Sequence, residues 1–225
     1  KRFGITTILI EDYPDITNIL AEIEKKYNSH SVFISGSAVE YGEFTSLEAQ
    51  SFIHLLSKEI IKKNLNVVNG FGLGVGSAVI NGALDAVYSE NKKHSENQLV
   101  LKPFPQFPSG GKDLKQLWQE YRHNMISRAG IILILFGNKE TEHGIINGSG
   151  VKLEFEIAIE RGLVPIPIFY TGYMAKEIFE EIGTDYSKYN LTEELLSDIS
   201  SLKLDKENLN KSIRDIILII QKVAK

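Results

Sequence analysis

The chain has 225 residues, of which 43% are hydrophobic and 24% are charged, and its formal net charge is −4. This composition is ordinary for a soluble globular protein with one substantial domain or two small ones, and it gives no reason to expect a nucleic-acid or membrane partner. The sequence contains no cysteine, which excludes disulfides and thiolate metal sites. With no apolar run near the ~20 residues of a membrane helix, these features favour a cytoplasmic protein.

The first thirty residues are predicted to form a strand and a helix that stand apart from the rest of the pattern. Residues 3–10 are predicted to form a strand, and a helix begins at Pro14 with apolar residues at helical spacing. A polar hinge follows at residues 25–30. Because the chain also lacks an initiator Met, we interpret residues 1–27 as the end of an upstream domain and residues 28–225 as a domain of their own. The alternative is that this strand and helix belong to the edge of the same domain.

From residue 31 onward, short apolar strands alternate with helices. Strands are predicted at residues 31–35, 65–69, 98–102, 130–136 and 164–170, with helices at about 47–63, 77–88, 113–128 and 151–161. This alternation predicts an α/β fold, a Rossmann-like doubly wound parallel sheet of about five strands with flanking helices. A last helix, from residue 209, has a wide apolar face that includes Leu218 and Ile219. That face could contact another subunit or lie on the domain's own sheet.

The stretch from Tyr121 to Glu156 contains the strongest candidate site. Arg122 lies on a helix before an apolar strand, a polar loop with Lys139 follows that strand, and the turn 148–150 then starts a helix that carries Glu154. A strand that leads through a glycine-rich turn into a helix N-terminus is a place where anions bind. Glu154 could bind ribose hydroxyls or act as an acid or base. It could equally be a carboxylate favoured by the helix dipole, and Arg122 a solvated surface charge.

Two further glycine-containing loops follow predicted strands. Gly36 and Ser37 come after the first strand, and Gly72, Gly74 and Gly76 come after the second. Glycines allow a pyrophosphate to approach the backbone closely, although tight turns would also explain them. The second loop is not a true G-x-G-x-x-G, and no acidic residue follows at the ribose-binding spacing, which argues against a dehydrogenase. The five histidines show no metal-ligand spacing, so we expect no metal.

The helix with Arg122 and Met125, the apolar strand and the segment GSGVKLE resemble the lysine-decarboxylase-like LOG family. In that family an Arg and a Glu act together to cleave the base from a nucleoside monophosphate. The resemblance assigns those roles to Arg122 and Glu154. The sequence departs from the family turn where Ile146-Asn147 replace Pro-Gly and Val151 replaces Thr, and residues 137–146 form an insertion. These departures argue against hydrolysis and leave nucleotide binding intact.

A second resemblance covers nearly the whole chain and rests on the segments SGSAVEYG, NGFGLGVGSAVINGA, LKPFPQ and YRHNMISRAG. They are similar to SLOG sensor domains of the sirtuin-like, NAD-degrading effectors of bacterial Thoeris anti-phage systems. The resemblance implies that a TIR-domain partner makes a cyclic ADP-ribose isomer, that the SLOG pocket binds it, and that a changed subunit arrangement activates NAD⁺ hydrolysis. Residues 1–27 would then be the end of the sirtuin-like domain.

This second resemblance also implies a site. It predicts a homo-oligomer, a dimer or tetramer, with a ligand derived from NAD but no cofactor and no catalytic residue in residues 28–225. An adenine would contact Phe104, Phe107 or Phe155. The alternatives are a LOG-type phosphoribohydrolase acting at Glu154 and a structural oligomerisation domain. The predicted ligand-binding residues are Gly36, Ser37, Gly72, Gly74, Gly76, Arg122, Lys139, Gly148, Ser149, Gly150, Glu154 and Phe155.

Overall fold

The structure is a computed structural model that describes residues 13–89 and 93–224. Its strands are β1 (Ser31–Ser37), β2 (Asn66–Asn69), β3 (Leu99–Leu101), β4 (Ile131–Phe136), β5 (Asn138–Thr141), β6 (Gly144–Asn147) and β7 (Val164–Pro167). Its α-helices are α1 (Tyr13–Asn28), α2 (Ser46–Lys62), α3 (Gly76–Ser89), α4 (Leu114–Ile126), α5 (Ser149–Glu160), α6 (Tyr173–Thr184), α7 (Glu193–Ser200) and α8 (Leu209–Val223). The strand predicted at residues 3–10 lies outside the described residues.

Five strands form one parallel sheet in the order β3-β2-β1-β4-β7. The two central strands are almost entirely buried because helices cover both faces, which is why they read as continuous apolar runs. This confirms the predicted Rossmann-like fold. The chain proceeds outward in one direction from β1 and in the other from β4, so the strand order reverses between these two neighbours. Ligands bind at the carboxyl ends of strands at such a switch point.

Helix α2 packs closely on α3 and contacts α8, whereas α5 contacts α4 and α6. The α2–α3 contact depends on a glycine, because a Cβ atom at Gly82 would lie 2.0 Å from the carbonyl oxygen of His54. Thr45 starts α2 with a capping box: its hydroxyl accepts from the Glu48 N–H, and the Glu48 carboxylate accepts from the Thr45 N–H at 2.7 Å. The β1–α2 connection therefore ends at a fixed point beside the sheet.

The prediction of a polar loop after β4 is wrong, because residues 138–147 form a two-stranded antiparallel hairpin. Asn138 pairs with Asn147, and Thr141 pairs with Gly144, which closes the turn at a φ of 104°. The hairpin strands are four residues long and mostly polar on β5, so they show no apolar–polar alternation from which a strand could be predicted. The insertion relative to the LOG turn is thus an ordered element beside the carboxyl end of β4.

The C-terminal part of the domain differs from prediction in detail. The strand predicted at residues 164–170 ends at Pro167, and a 3-10 turn follows at Phe169–Thr171. The apolar face of α8 lies mainly on the domain itself, with Ile219 only 4% exposed, although Leu218 remains 53% exposed. Within residues 13–89 and 93–224, no helix has the length and apolar character needed to cross a membrane.

Helix α1 has no buried residue among those described, unlike every other α-helix of the sheet's two layers. It ends at Asn28, within the predicted polar hinge, and the Asn28 side-chain amide donates to the carbonyl oxygen of Ser127 at 3.1 Å. The division of the chain at residues 27 and 28 stays a prediction.

Candidate functional site

Arg122 and Glu154, predicted as a pair, lie side by side at the switch point. Arg122 projects from α4 and Glu154 from the second turn of α5, and the Arg122 Nε atom is 3.8 Å from Glu154 Oε1. Their side chains are only 16% and 12% exposed. The Ser35 hydroxyl, on β1, donates to Glu154 Oε2 at 2.6 Å. A strand and two helices therefore converge on one carboxylate.

Neighbouring residues orient the guanidinium of Arg122 but do not accept all of its hydrogen bonds. Its Cζ atom lies 4.9 Å from the centre of the Phe104 ring, in a cation–π contact. One terminal nitrogen is 3.5 Å from the point where a Cβ atom at Gly150 would lie. The Nε atom is buried, and it has no hydrogen-bond acceptor in the part of the chain that the structure describes. Because a buried N–H without an acceptor is costly, binding of a ligand that brings an acceptor to this atom would be favoured.

Glu154 lies further into its helix than the sequence suggested. Since α5 starts at Ser149, Glu154 is beyond the first turn, where the helix dipole favours a carboxylate less. Burial raises the pKa of Glu154 above its ordinary value, while the Ser35 hydrogen bond and the Arg122 charge act in the opposite direction. Its carboxyl group is thus held by specific partners in a poorly hydrated place, which is typical of functional sites.

This raised pKa predicts how stability depends on pH. Above the ordinary value of 4.5 the unfolded chain releases the Glu154 proton before the folded chain does. The unfolded state is therefore favoured increasingly as pH rises from there to the raised pKa. We expect the stability of the wild type relative to Glu154→Gln to fall through that window and then level off, measured by urea unfolding from about pH 4 to about pH 8. A flat or rising difference would contradict the assignment, and Glu156→Gln, an exposed carboxylate on the same helix, is the control.

Four further predicted residues surround the N-terminus of α5. Gly148 is its N-cap and supplies no side-chain hydrogen bond to the first turn. The Lys139 ammonium group, on the hairpin, donates to the hydroxyl of Ser149 at 2.9 Å. The Ser37 hydroxyl donates to the carbonyl oxygen of Asn138 at 2.9 Å. A helix N-terminus without a side-chain cap, beside a lysine, is a favourable place for an anion.

The glycines that follow β2 allow close approaches of the backbone, and Gly36 and Ser37, predicted to follow the first strand, instead form the last two residues of β1. A Cβ atom at Gly72 would lie 2.1 Å from the carbonyl oxygen of Gly36, and one at Gly76 would lie 2.6 Å from Phe71 Cα. Gly74, at a φ of 70°, approaches the Ala38 carbonyl oxygen in the same way. Close packing thus accounts for all three glycines of the second loop, and their contact with a ligand stays a prediction.

The aromatic residues proposed to receive an adenine lie in different places. Phe104 lies beneath Arg122, whereas Phe107 is 79% exposed. Phe155 is 1% exposed and stacks on Tyr189 with ring centroids 5.7 Å apart. The structure therefore does not bring the Phe155 ring to the Arg122–Glu154 pair, although the two residues 154 and 155 are adjacent. Successive residues on a helix point about 100° apart, so one faces the cleft and the next the core.

Two residues that sequence reasoning missed complete the site. Ser35 was detectable in principle, as a polar side chain in an apolar strand. Asn138, 1% exposed, accepts from the N–H groups of Val39 and Glu40 at 2.8 and 3.2 Å and donates to the Glu40 carbonyl oxygen at 2.7 Å. It ties the hairpin to the β1–α2 loop. No sequence signal distinguishes it from other asparagines in polar segments.

Asn138→Ala is expected to lower the free energy of unfolding by about 1–3 kcal/mol, because it removes all three of these hydrogen bonds at a buried position. It should also weaken ligand binding, since the hairpin carries Lys139. Thermal unfolding followed by circular dichroism measures the first effect. Asn147→Ala, at the exposed end of β6, is the control on the same hairpin, because it removes one exposed hydrogen bond, from the Asn147 amide to Glu177 Oε2 at 2.5 Å. Equal melting temperatures for the two variants would show that Asn138 is not the anchor.

The fold and this site define an α/β domain of the Rossmann-like class with a polar cleft at its switch point. The chain belongs to the Sir2- and TIR-associating SLOG family, whose model matches residues 15–223. The predicted resemblance to SLOG domains is thereby confirmed.

Relatives with assigned names are similar over nearly the whole chain. The NAD(+) hydrolase ThsA of Cytobacillus dafuensis is 43% identical over 100% of it, and those of Bacillus cereus (strain MSX-D12) and Enterococcus faecium are 38% and 33% identical over 98% and 99%. The chain spans about half the length of these relatives, 45% of the first and 46% of the other two.

A solved structure shows the same fold. The X-ray structure of TM1055, a structural genomics target, superposes with a TM-score of 0.53. The superposition covers 85% of this chain and 98% of TM1055 at 16% sequence identity. At that identity the likeness concerns the fold alone.

Proposed function

We propose that this domain is the nucleotide-sensing part of a Thoeris-type NAD⁺ hydrolase of the cytoplasm, and that it binds a cyclic ADP-ribose isomer. One observation carries the proposal: the buried Arg122 Nε atom, which lies beside Glu154 at the switch point of the sheet and has no acceptor among the described residues. The proposal also draws on the relatives, which are named NAD(+) hydrolases and are about twice as long as this chain. The hydrolysis itself would be performed by the remainder of such a protein.

The chemistry of the ligand matches the groups that surround the cleft. A cyclic ADP-ribose isomer offers two phosphates, for which Arg122, Lys139 and the first N–H groups of α5 are suitable donors. It also offers ribose hydroxyls to the carboxyl group of Glu154. The Lys139–Ser149 hydrogen bond would be exchanged for contacts with a phosphate, so the ligand would connect the hairpin to α5.

Activation requires that the ligand favour one arrangement of subunits over another. We propose that a TIR-domain partner supplies the signal and that the full protein is a homo-oligomer, a dimer or tetramer. A shift from mostly inactive to mostly active needs roughly 5.5 kcal/mol of differential binding. Two or three charge-assisted hydrogen bonds of about 1.5–3 kcal/mol each would supply that amount if they form only in the active arrangement.

Calorimetric titration of the 225-residue chain with cyclic ADP-ribose isomers tests the proposal. We expect saturable binding of at least one isomer, and light scattering should show whether binding changes the mass of the assembly. Linear ADP-ribose is the matched control, because it has the same two phosphates and the same base without the ring closure. Absence of binding by every isomer would overturn the proposal and favour a structural oligomerisation domain.

A second candidate function is phosphoribohydrolysis of the LOG type, favoured by the raised pKa of Glu154 next to Arg122. A carboxyl group that stays protonated to higher pH is a better general acid near neutrality. Incubation with nucleoside monophosphates followed by chromatography distinguishes the two functions. Release of free base, lost in Glu154→Gln, would replace the sensor proposal with the hydrolase.

A further inference from the structure

A pocket of about 460 Å³ adjoins Arg122 and lies between the loops that follow β2 and β3. This volume lies within the range of small-molecule sites. Of the residues predicted to bind the ligand, Arg122 and Gly72 line this pocket, whereas Lys139, Ser149 and Glu154 are not part of its lining. Its walls include Phe71, Leu73, Phe104, Gln106, Trp118 and Arg122.

The aromatic rings of this pocket are held in place while part of their surface remains exposed. Phe104 and Trp118 meet edge to face, with centroids 6.5 Å apart and an interplanar angle of 88°. The indole N–H of Trp118 donates to the carbonyl oxygen of Pro105 at 2.7 Å, which fixes the ring, yet the residue is 36% exposed. Rings fixed in this way bind a planar ligand at a low cost in conformational entropy.

Phe71 also lines the pocket and has an unusual backbone conformation. Its φ is +61°, an uncommon value for a residue other than glycine, and its side chain is 52% exposed. The buried Asn69 side chain supports this conformation: it accepts from the Phe71 N–H at 2.7 Å and donates to the carbonyl oxygen of Ile34 at 2.9 Å. The backbone is thus held in a conformation that leaves an aromatic side chain partly exposed in the lining of the pocket.

We propose that this pocket is a base subsite, which takes the planar purine ring of the nucleotide while Arg122 holds a phosphate at its edge. The inference rests on the proposed function. Arg122 lines the aromatic pocket and also forms the ion pair with Glu154. A ligand that fills the pocket and also contacts the Arg122 guanidinium must therefore join a planar apolar part directly to an anionic part. A nucleotide has this construction. Aromatic side chains stack on bases, and an arginine strengthens the contact.

Trp118 is the only tryptophan of the chain, so its fluorescence reports on this pocket alone. The full chain is titrated with adenosine monophosphate, with ribose 5-phosphate and with the cyclic ADP-ribose isomers. We expect adenosine monophosphate or a cyclic isomer to change the emission saturably, and ribose 5-phosphate to change it little. No change with any base-containing ligand, or an equal change with ribose 5-phosphate, would overturn the proposal.

Three variants then test whether the ring contributes to affinity, measured by calorimetry. Trp118→Leu is expected to weaken binding of the base-containing ligand about 5- to 100-fold, and Trp118→Phe, which keeps a ring, much less. Tyr27→Leu removes an exposed ring of α1 that does not line the pocket, and it should leave affinity unchanged. If a cyclic isomer binds the wild type and Trp118→Leu equally well, the base subsite is wrong and the sensor function stands. If no isomer binds, but adenosine monophosphate binds and Trp118→Leu weakens that binding, the base subsite stands and the sensor function is wrong.

Discussion

Arg122→Ala is expected to reduce the affinity for a cyclic ADP-ribose isomer by about 100-fold or more. The guanidinium can form two or more charge-assisted hydrogen bonds to a phosphate, each of about 1.5–3 kcal/mol, and its Nε atom is already desolvated. The fold should be kept, because Glu154 can take up a proton when the neighbouring positive charge is removed. Calorimetry measures the affinity, and circular dichroism with thermal unfolding shows whether the domain remains folded.

Two matched variants sharpen this test. Arg128→Ala removes an exposed arginine just beyond the end of α4, and it should bind like the wild type if Arg122 acts through its position rather than through net charge. Arg122→Lys keeps the charge but loses the planar fork of donors, so its affinity should lie between those of the wild type and Arg122→Ala. If either Arg122→Ala or Glu154→Ala bound the ligand with wild-type affinity, the site assignment would be refuted.

Gly74→Ala is expected to lower the free energy of unfolding by about 3–5 kcal/mol. The residue has a φ of 70°, and a Cβ atom there would lie 1.9 Å from the carbonyl oxygen of Ala38. The loop cannot easily move away, because the Gly74 carbonyl oxygen accepts from the Tyr41 hydroxyl at 2.9 Å and from the Gln50 amide at 2.7 Å. Backbone strain at Gly74 and the steric clash with Ala38 therefore both destabilise the variant.

The control for Gly74→Ala is Gly183→Ala, in α6, where an added Cβ atom would meet nothing within 4 Å. Alanine favours a helix over glycine by about 0.5–1 kcal/mol, so this variant should be slightly more stable than the wild type. Urea unfolding followed by circular dichroism measures both variants. A Gly74→Ala domain as stable as the wild type would mean that the loops after β1 and β2 are not packed as described.

The order of residues along the chain was enough to predict the sheet, the family and the Arg122–Glu154 pair. Parallel strands buried on both faces consist of consecutive apolar residues, and helices repeat their apolar positions at a regular spacing, so both can be recognised locally. Functional residues at the ends of those elements could then be placed at the same edge of the sheet, because all parallel strands end there. The family resemblance added the joint role of Arg122 and Glu154 and indicated Lys139 as a further binding residue.

Contacts between distant parts of the chain could not be predicted in this way. The Ser35–Glu154 hydrogen bond joins residues 119 positions apart, and Asn138 joins the hairpin to a loop 98 and 99 positions earlier. Such pairings leave no periodic pattern, since they depend on how the elements are packed. The orientation of Phe155 toward Tyr189, away from the cleft, is also a result of packing. The local pattern of apolar residues determines which helices and strands form. The packing of these elements determines which side chains meet, because only in the folded domain does each polar group gain its hydrogen-bond partners or lose its hydration.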